Sequence, residues 1–145
     1  MGTFRFRLEK VLQWQQKQRQ MEETRIQELA HARERAASAI ALLRADRVAV
    51  EQQVLSAKEV SPNDLVALGN FRRRVAKQSE ALNRSRQDYE RRLAERRAAW
   101  LEARRKCRLF EKLKARRQIE FDGQVQRELE QFATENFLAR WPPAN

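Results

Sequence analysis

Between Phe4 and Trp141 the chain has one proline, Pro62, and two glycines, Gly69 and Gly123. Proline is the residue that stops a helix, because it lacks the amide hydrogen and its ring clashes with the carbonyl one turn back. Sheet folds need many turns, and turns draw on Gly, Pro, Asn and Asp. With 3 Gly and 3 Pro in 145 residues, a β-sandwich or an α/β domain is excluded. What fills the space is Ala, Glu, Lys, Leu, Arg and Gln, the composition of long helices and coiled coils. The length suits one domain. The apolar 41% recurs with a period, which a disordered tail has no need of.

Pro62 lies in Val60-Ser61-Pro62-Asn63-Asp64, which reads as a helix stop followed by a helix start. Ser61 takes the N-cap, Pro62 the first helical position and Asp64 the third, completing a capping-box-like arrangement. Trp141-Pro142-Pro143 is the second break. The spacing therefore predicts helix 1 over about 4–58, a turn over about 59–61, helix 2 over about 62–140 and a tail at 141–145. At 1.5 Å per residue the helices would run roughly 80 Å and 120 Å. So short a connection favours an antiparallel pair. The expected fold is all-α: a long antiparallel two-helix coiled-coil hairpin, a single domain, with the second helix longer and overhanging. Phe4 would then face about residue 117.

A 3-4 spacing supports the pairing. In helix 1 it runs Leu8, Leu12, then Ile26, Leu29, Arg33, Ala36, Ile40, Leu43, Arg47, Val50, Val54 and Ala57. In helix 2 it runs from Leu65 and Leu68 through Arg72, Val75, Leu82, Arg86, Leu93, Arg96 and Trp100 to Cys107 and Phe110. The seam is impure, since arginines occupy core-type positions with their stems along it and their guanidinium groups in water. Past a phase shift near Leu109–Leu113, the overhang 118–140 keeps an apolar stripe that includes Val125, Leu129 and Phe132. A helix with such a stripe invites a partner, favoured here over fraying or self-association.

The formal charge is +11 and it is unevenly placed. Residues 71–118 hold 18 basic and 6 acidic side chains, while residues 119–145 hold 2 basic and 5 acidic. A basic rod attracts phosphate. Here, however, Glu80, Asp88, Glu90 and Glu95 interrupt it at pairing distance, Asp88 standing three and four residues before Arg91 and Arg92. A solvated, partly paired face that steers an acidic protein partner explains the charge as well as nucleic acid does, and nucleic acid is not expected as the main role. An anionic membrane surface ranks lower, because the basic helix lacks an apolar face of its own once the seam is filled.

Catalytic chemistry finds little material. His31 stands alone among Ala and Glu and reads as a solvated residue. A metal wants three or four ligands, and Cys107 on the seam reads as a small hydrophobe. Three dispersed glycines make no phosphate loop. We expect no enzyme, no cofactor, no metal and no small-molecule substrate. The opening twelve residues carry charge throughout and form no signal peptide, and no stretch nears a membrane span. A reducing, cytoplasmic compartment is expected. Phe4 and Phe6, two apart, cannot both be buried by one helix face; either one is available to a partner or the chain is not yet helical there.

The opening Phe4-Arg5-Phe6-Arg7-Leu8-Glu9-Lys10-Val11-Leu12 resembles the N-terminal F-x-F-x-L-E-x-V-L signature of the flagellar FliJ family. The Ser61–Leu65 break followed by Phe71, the stretches Ala103–Lys106 and Glu111–Lys114, and Glu128–Ala133 resemble further family segments in order. In the last, Glu130-Gln131 stands where the family has Asp-Glu. The resemblance implies a component of the flagellar type III export apparatus, cytoplasmic and peripherally associated with the membrane through that apparatus. It implies a coiled coil like the stalk, or γ, subunit of rotary ATPases. Its partners would be the hexameric export ATPase FliI, whose assembly and activity it promotes, the export gate protein FlhA, and export chaperones. The chain alone would be monomeric. By motif, the partner-binding residues would be Phe4, Phe6, Leu8, Val11 and Leu12, with Arg104, Arg105, Leu109, Leu113, Arg116, Leu129 and Phe132. Alternatives are the YscO-like stalk of a virulence injectisome and a homodimeric structural coiled coil.

Overall fold

The computed structural model describes residues 2–142; the end of the expected tail, residues 143–145, lies outside them. Two helices form, α1 (Glu9–Leu55) and α2 (Pro62–Arg140), and they pack against each other as a helical hairpin. No strand occurs among the described residues.

The break between the helices is built as the residues dictate. The Asp64 amide donates to Ser61 Oγ at 3.1 Å, and the Ser61 amide donates to Asp64 Oδ2 at 3.1 Å. Two orphan donors of the first turn are thereby satisfied reciprocally. The acidic Asp64 also suits the positive end of the helix dipole. α1 ends three residues earlier than expected, at Leu55, and Ala57, expected on the seam, is exposed beyond it. Residues 56–61 are consumed in reversing the chain.

The other boundary moves further. α1 begins at Glu9, not Phe4. The Leu12 amide donates to the Leu8 carbonyl at 2.9 Å, which opens the helical ladder. Residues 2–6 lie outside any helix or turn, and their burial alternates as in an extended chain: Phe4, Phe6 and Leu8 are half-buried, while Thr3, Arg5 and Arg7 are exposed. In an extended chain residues two apart share a face, so both phenylalanines turn inward together.

The chain divides into two compact units. One holds α1 from Gln20 and α2 up to Trp100; the other holds the chain up to Arg19 and from Leu101 onward. In the Gln20–Trp100 unit the core is Ala36, Ile40, Leu68, Val75 and Leu93. Leu65, expected on the seam, is exposed near the turn. Glu22, 8% exposed, also sits in this seam. Its Oε1 receives Arg25 at 3.3 Å and, across the pair, Arg96 at 3.4 Å. Trp100 Nε1 donates to Glu23 Oε1 at 3.0 Å, a second link between the helices.

Toward the turn, Glu51 Oε1 joins Arg47 at 3.0 Å and Arg72 of the other helix at 2.8 Å. The hydrogen bond from Arg47, and then that from Arg72, holds the Glu51 carboxyl below its ordinary value of 4.5. A carboxylate with a depressed folded pKa stabilises above its unfolded pKa, and that contribution is lost as pH falls through the folded one. Glu51→Gln should therefore be less stable than the parent at neutral pH. The gap between their urea midpoints should narrow below pH 4.5 and close beneath the folded pKa.

In the unit holding both chain ends, the buried residues are Leu12, Gln15, Ala103 and Cys107. Cys107 is 0% exposed, and burial pushes its thiol pKa up, with Glu111 adding to the push and Arg19 opposing it. The thiol stays protonated and packs as a small hydrophobe, as the seam position implies. Glu9 and Lys114 tie the helices together at 2.9 Å.

Candidate functional site

All twelve residues singled out by sequence lie in the unit that holds both chain ends. They do not form one site. Leu12 is 3% exposed and is core. Phe4, Phe6 and Leu8 line a groove with Leu113, Arg117 and Phe121 of α2. The Phe4 ring stands 5.6 Å from Phe121, tilted by 52°, a favourable edge-inclined aromatic contact. Phe4 thus meets residue 121, not the expected 117. The reason is the extended segment: each of its residues advances about 3.3 Å, against 1.5 Å in a helix. The same residue count reaches one helical turn further along α2.

Val11 is exposed on the first turns of α1, and so is Trp14. Arg104 is half-buried; Arg105, Leu109 and Arg116 are exposed. Arg104, Arg105 and Leu109 share a shallow surface with Leu101, Arg108 and Lys112. Leu129 and Phe132 belong to a third place. Phe121 and Val125 are the last apolar residues of α2 with partial burial, and every residue from Gln126 to Pro142 is exposed. Near the end, Phe137 and Trp141 contact only locally, ring to ring at 5.4 Å. The overhang is therefore real but starts later than residue 118, because the extended N-terminal segment covers the stretch around Phe121.

Sequence reasoning passed over Phe121 as a groove wall. The signal was present: F-R-F-R-L alternates with period two, the pattern of an extended segment with one apolar face. It also passed over Arg108 and Lys112, which extend the Arg104–Arg105 surface by two turns.

In the Gln20–Trp100 unit, three outward arginines pair along the helix: Arg84 with Glu80 at 2.6 Å, Arg91 with Asp88 at 2.7 Å, Arg92 with Asp88 at 3.0 Å. Such exposed pairs add little stability, but each offsets the field of the arginine it engages. In the other unit, Lys114 and Arg117 are paired, with Glu9 and Glu120. Among the described residues no hydrogen bond or ion pair engages Arg105, Arg108, Lys112 or Arg116.

Among the described residues no group of three or more His, Cys, Asp and Glu side chains is placed to hold a metal ion. Among the described residues no helix is long and apolar enough to cross a membrane. The arrangement offers grooves and faces for other macromolecules.

The sequence model of the family described as Flagellar FliJ protein matches residues 4–134. No curated protein and no solved structure matches the chain. The matched stretch takes in the Phe4–Leu8 segment, α1, the capped break and α2 as far as Thr134. The chain belongs to the FliJ family of flagellar proteins, a family associated with flagellar protein export.

Proposed function

We propose that the chain is the stalk-like, γ-subunit-like component of flagellar type III export. It binds the hexameric export ATPase FliI through the unit holding both chain ends and promotes assembly and hydrolysis. It contacts the export gate protein FlhA and escorts export chaperones. It works in the cytoplasm, at the membrane only through that apparatus, and does no catalysis itself. The observation that carries this reading is the concentration of unsatisfied surface in one unit. There, a half-covered aromatic groove, unpaired cations and an exposed apolar helix end stand within one set of paired helices. Large aromatics and arginines are the side chains that dominate protein interfaces.

The test is ATP hydrolysis by the cognate export ATPase, titrated with the full chain at several salt concentrations. The rate should rise at substoichiometric amounts, near one chain per hexamer, and the effect should weaken as salt screens the cations. R104E/R105E/R116E should lose the effect with helix content intact. No change, with an ATPase able to form hexamers, would sink the stalk reading.

A further inference from the structure

Four exposed cations of the unit that holds both chain ends lie on one strip of α2. At 100° per residue, Arg105, Arg108, Lys112 and Arg116 fall within an arc of about 100° on the stretch from Leu101 to Ile119, roughly 27 Å of helix. That arc faces away from the seam residues Ala103 and Cys107, which are buried. Three apolar residues share it: Leu101, Leu109 and Ile119, at 56%, 59% and 72% exposure. The two carboxylates of the stretch, Glu102 and Glu111, fall outside the arc. A helix burying one stripe in a two-helix seam has no packing reason to expose large aliphatic side chains on the opposite one. Here they lie among cations that no side chain neutralises among the described residues.

Three surfaces attract such cations. Nucleic acid is held by phosphates and by aromatic side chains that stack on bases, and this arc carries no aromatic residue. An acidic peptide would seat in a groove, and the arc is the convex side of a helix. A bilayer with anionic lipid matches both features at once. Cations reach the headgroups, and short apolar side chains between them enter the headgroup–acyl boundary.

We propose that this face of α2, Leu101–Ile119, lies flat on an anionic membrane surface. The contact is independent of the ATPase reading but shares Arg105 and Arg116 with it. Membrane and ATPase would then compete for the chain, and release from lipid would accompany docking to the ring.

The test is sedimentation of the full chain with vesicles of phosphatidylcholine alone or of phosphatidylcholine with phosphatidylserine, without ATPase. The chain should bind only the phosphatidylserine vesicles, and inorganic phosphate should not displace it. R105Q/R108Q/K112Q/R116Q should lower partitioning by at least roughly 100-fold, since each basic residue at such a surface is worth about fivefold. L101S/L109S/I119S, which leaves the charge unchanged, should lower it about tenfold and remove the binding that survives high salt. Circular dichroism confirms that each variant keeps its helices. Three outcomes overturn the proposal: no binding to phosphatidylserine vesicles; an equal loss in R73Q/R74Q/K77Q, which would make the attraction generic charge; or duplex DNA binding that L101S/L109S/I119S leaves unchanged and that outcompetes the vesicles.

Discussion

Leu93→Ala is expected to cost about 2–5 kcal/mol, the range for a leucine removed from a packed interior. Leu93 is 1% exposed, the least of any aliphatic side chain among the described residues. In a two-helix seam each core layer has few neighbours to collapse into the hole, so the upper half of the range is favoured. The contrast is Leu101→Ala on the outer face, which should change stability by no more than about 0.5 kcal/mol. Urea unfolding followed by circular dichroism measures both. Equal midpoints for the two variants would mean that the seam at Leu93 opens readily in the native state, and that the seam pairs described here are not what holds the Gln20–Trp100 unit.

The fold was legible because helix breakers were so few. One proline with a serine before it and an aspartate two residues after it set the break, and the hydrogen bonds between Ser61 and Asp64 realise that reading. The seam was legible only where it is apolar. Between Leu12 and Ile26 the apolar residues, Trp14 and Met21, fall off the seam, and yet the 3-4 spacing continues without a slip through Gln15, Arg19 and Glu22. Gln15 and Glu22 are each 8% exposed. A hydrophobicity pattern cannot see a carboxylate whose place is secured by two arginines, one of them 74 residues away in sequence. Spacing counted without regard to polarity would have found it. The seam there has a directional ion pair in place of an apolar layer. Such a pair adds little net stability but penalises any register that strands Glu22 without Arg96.

The site was less legible, for a different reason. Helical expectation was carried through to Phe4, and in a helix Phe4 and Phe6 point about 200° apart. The period-two alternation in the same five residues argues for an extended segment, and the structure follows it. That change places Phe121 in the groove, shifts the register by a turn and shortens the overhang. The charged surface could be counted but not oriented. The spacing between Asp88 and its arginines predicted neutralisation in one stretch, and the ion pairs are there. Which cations elsewhere remain unpaired depends on side-chain geometry, which composition does not hold.

F4A/F6A tests the stalk reading where it is most exposed to failure. The two rings lie on an extended segment, outside either helix, so their removal should leave helix content unchanged by circular dichroism. Cys107, 0% exposed and one turn before Glu111, should stay as slow toward thiol reagents as in the parent, because its burial comes from the seam and not from the groove. If the groove contacts the ATPase ring, two aromatic anchors are removed from an interface, and each such anchor is worth about 2 kcal/mol or more. Activation of the ATPase should then need roughly thirtyfold more protein for half effect if only one anchor counts, and several hundredfold more if the two add. If the rings only clasp the N-terminal segment to α2, activation should persist while residues 3–8 become sensitive to protease. That result would move the ATPase contact off the groove and onto the exposed end beyond Val125, where L129A/F132A would take over as the disruptive pair.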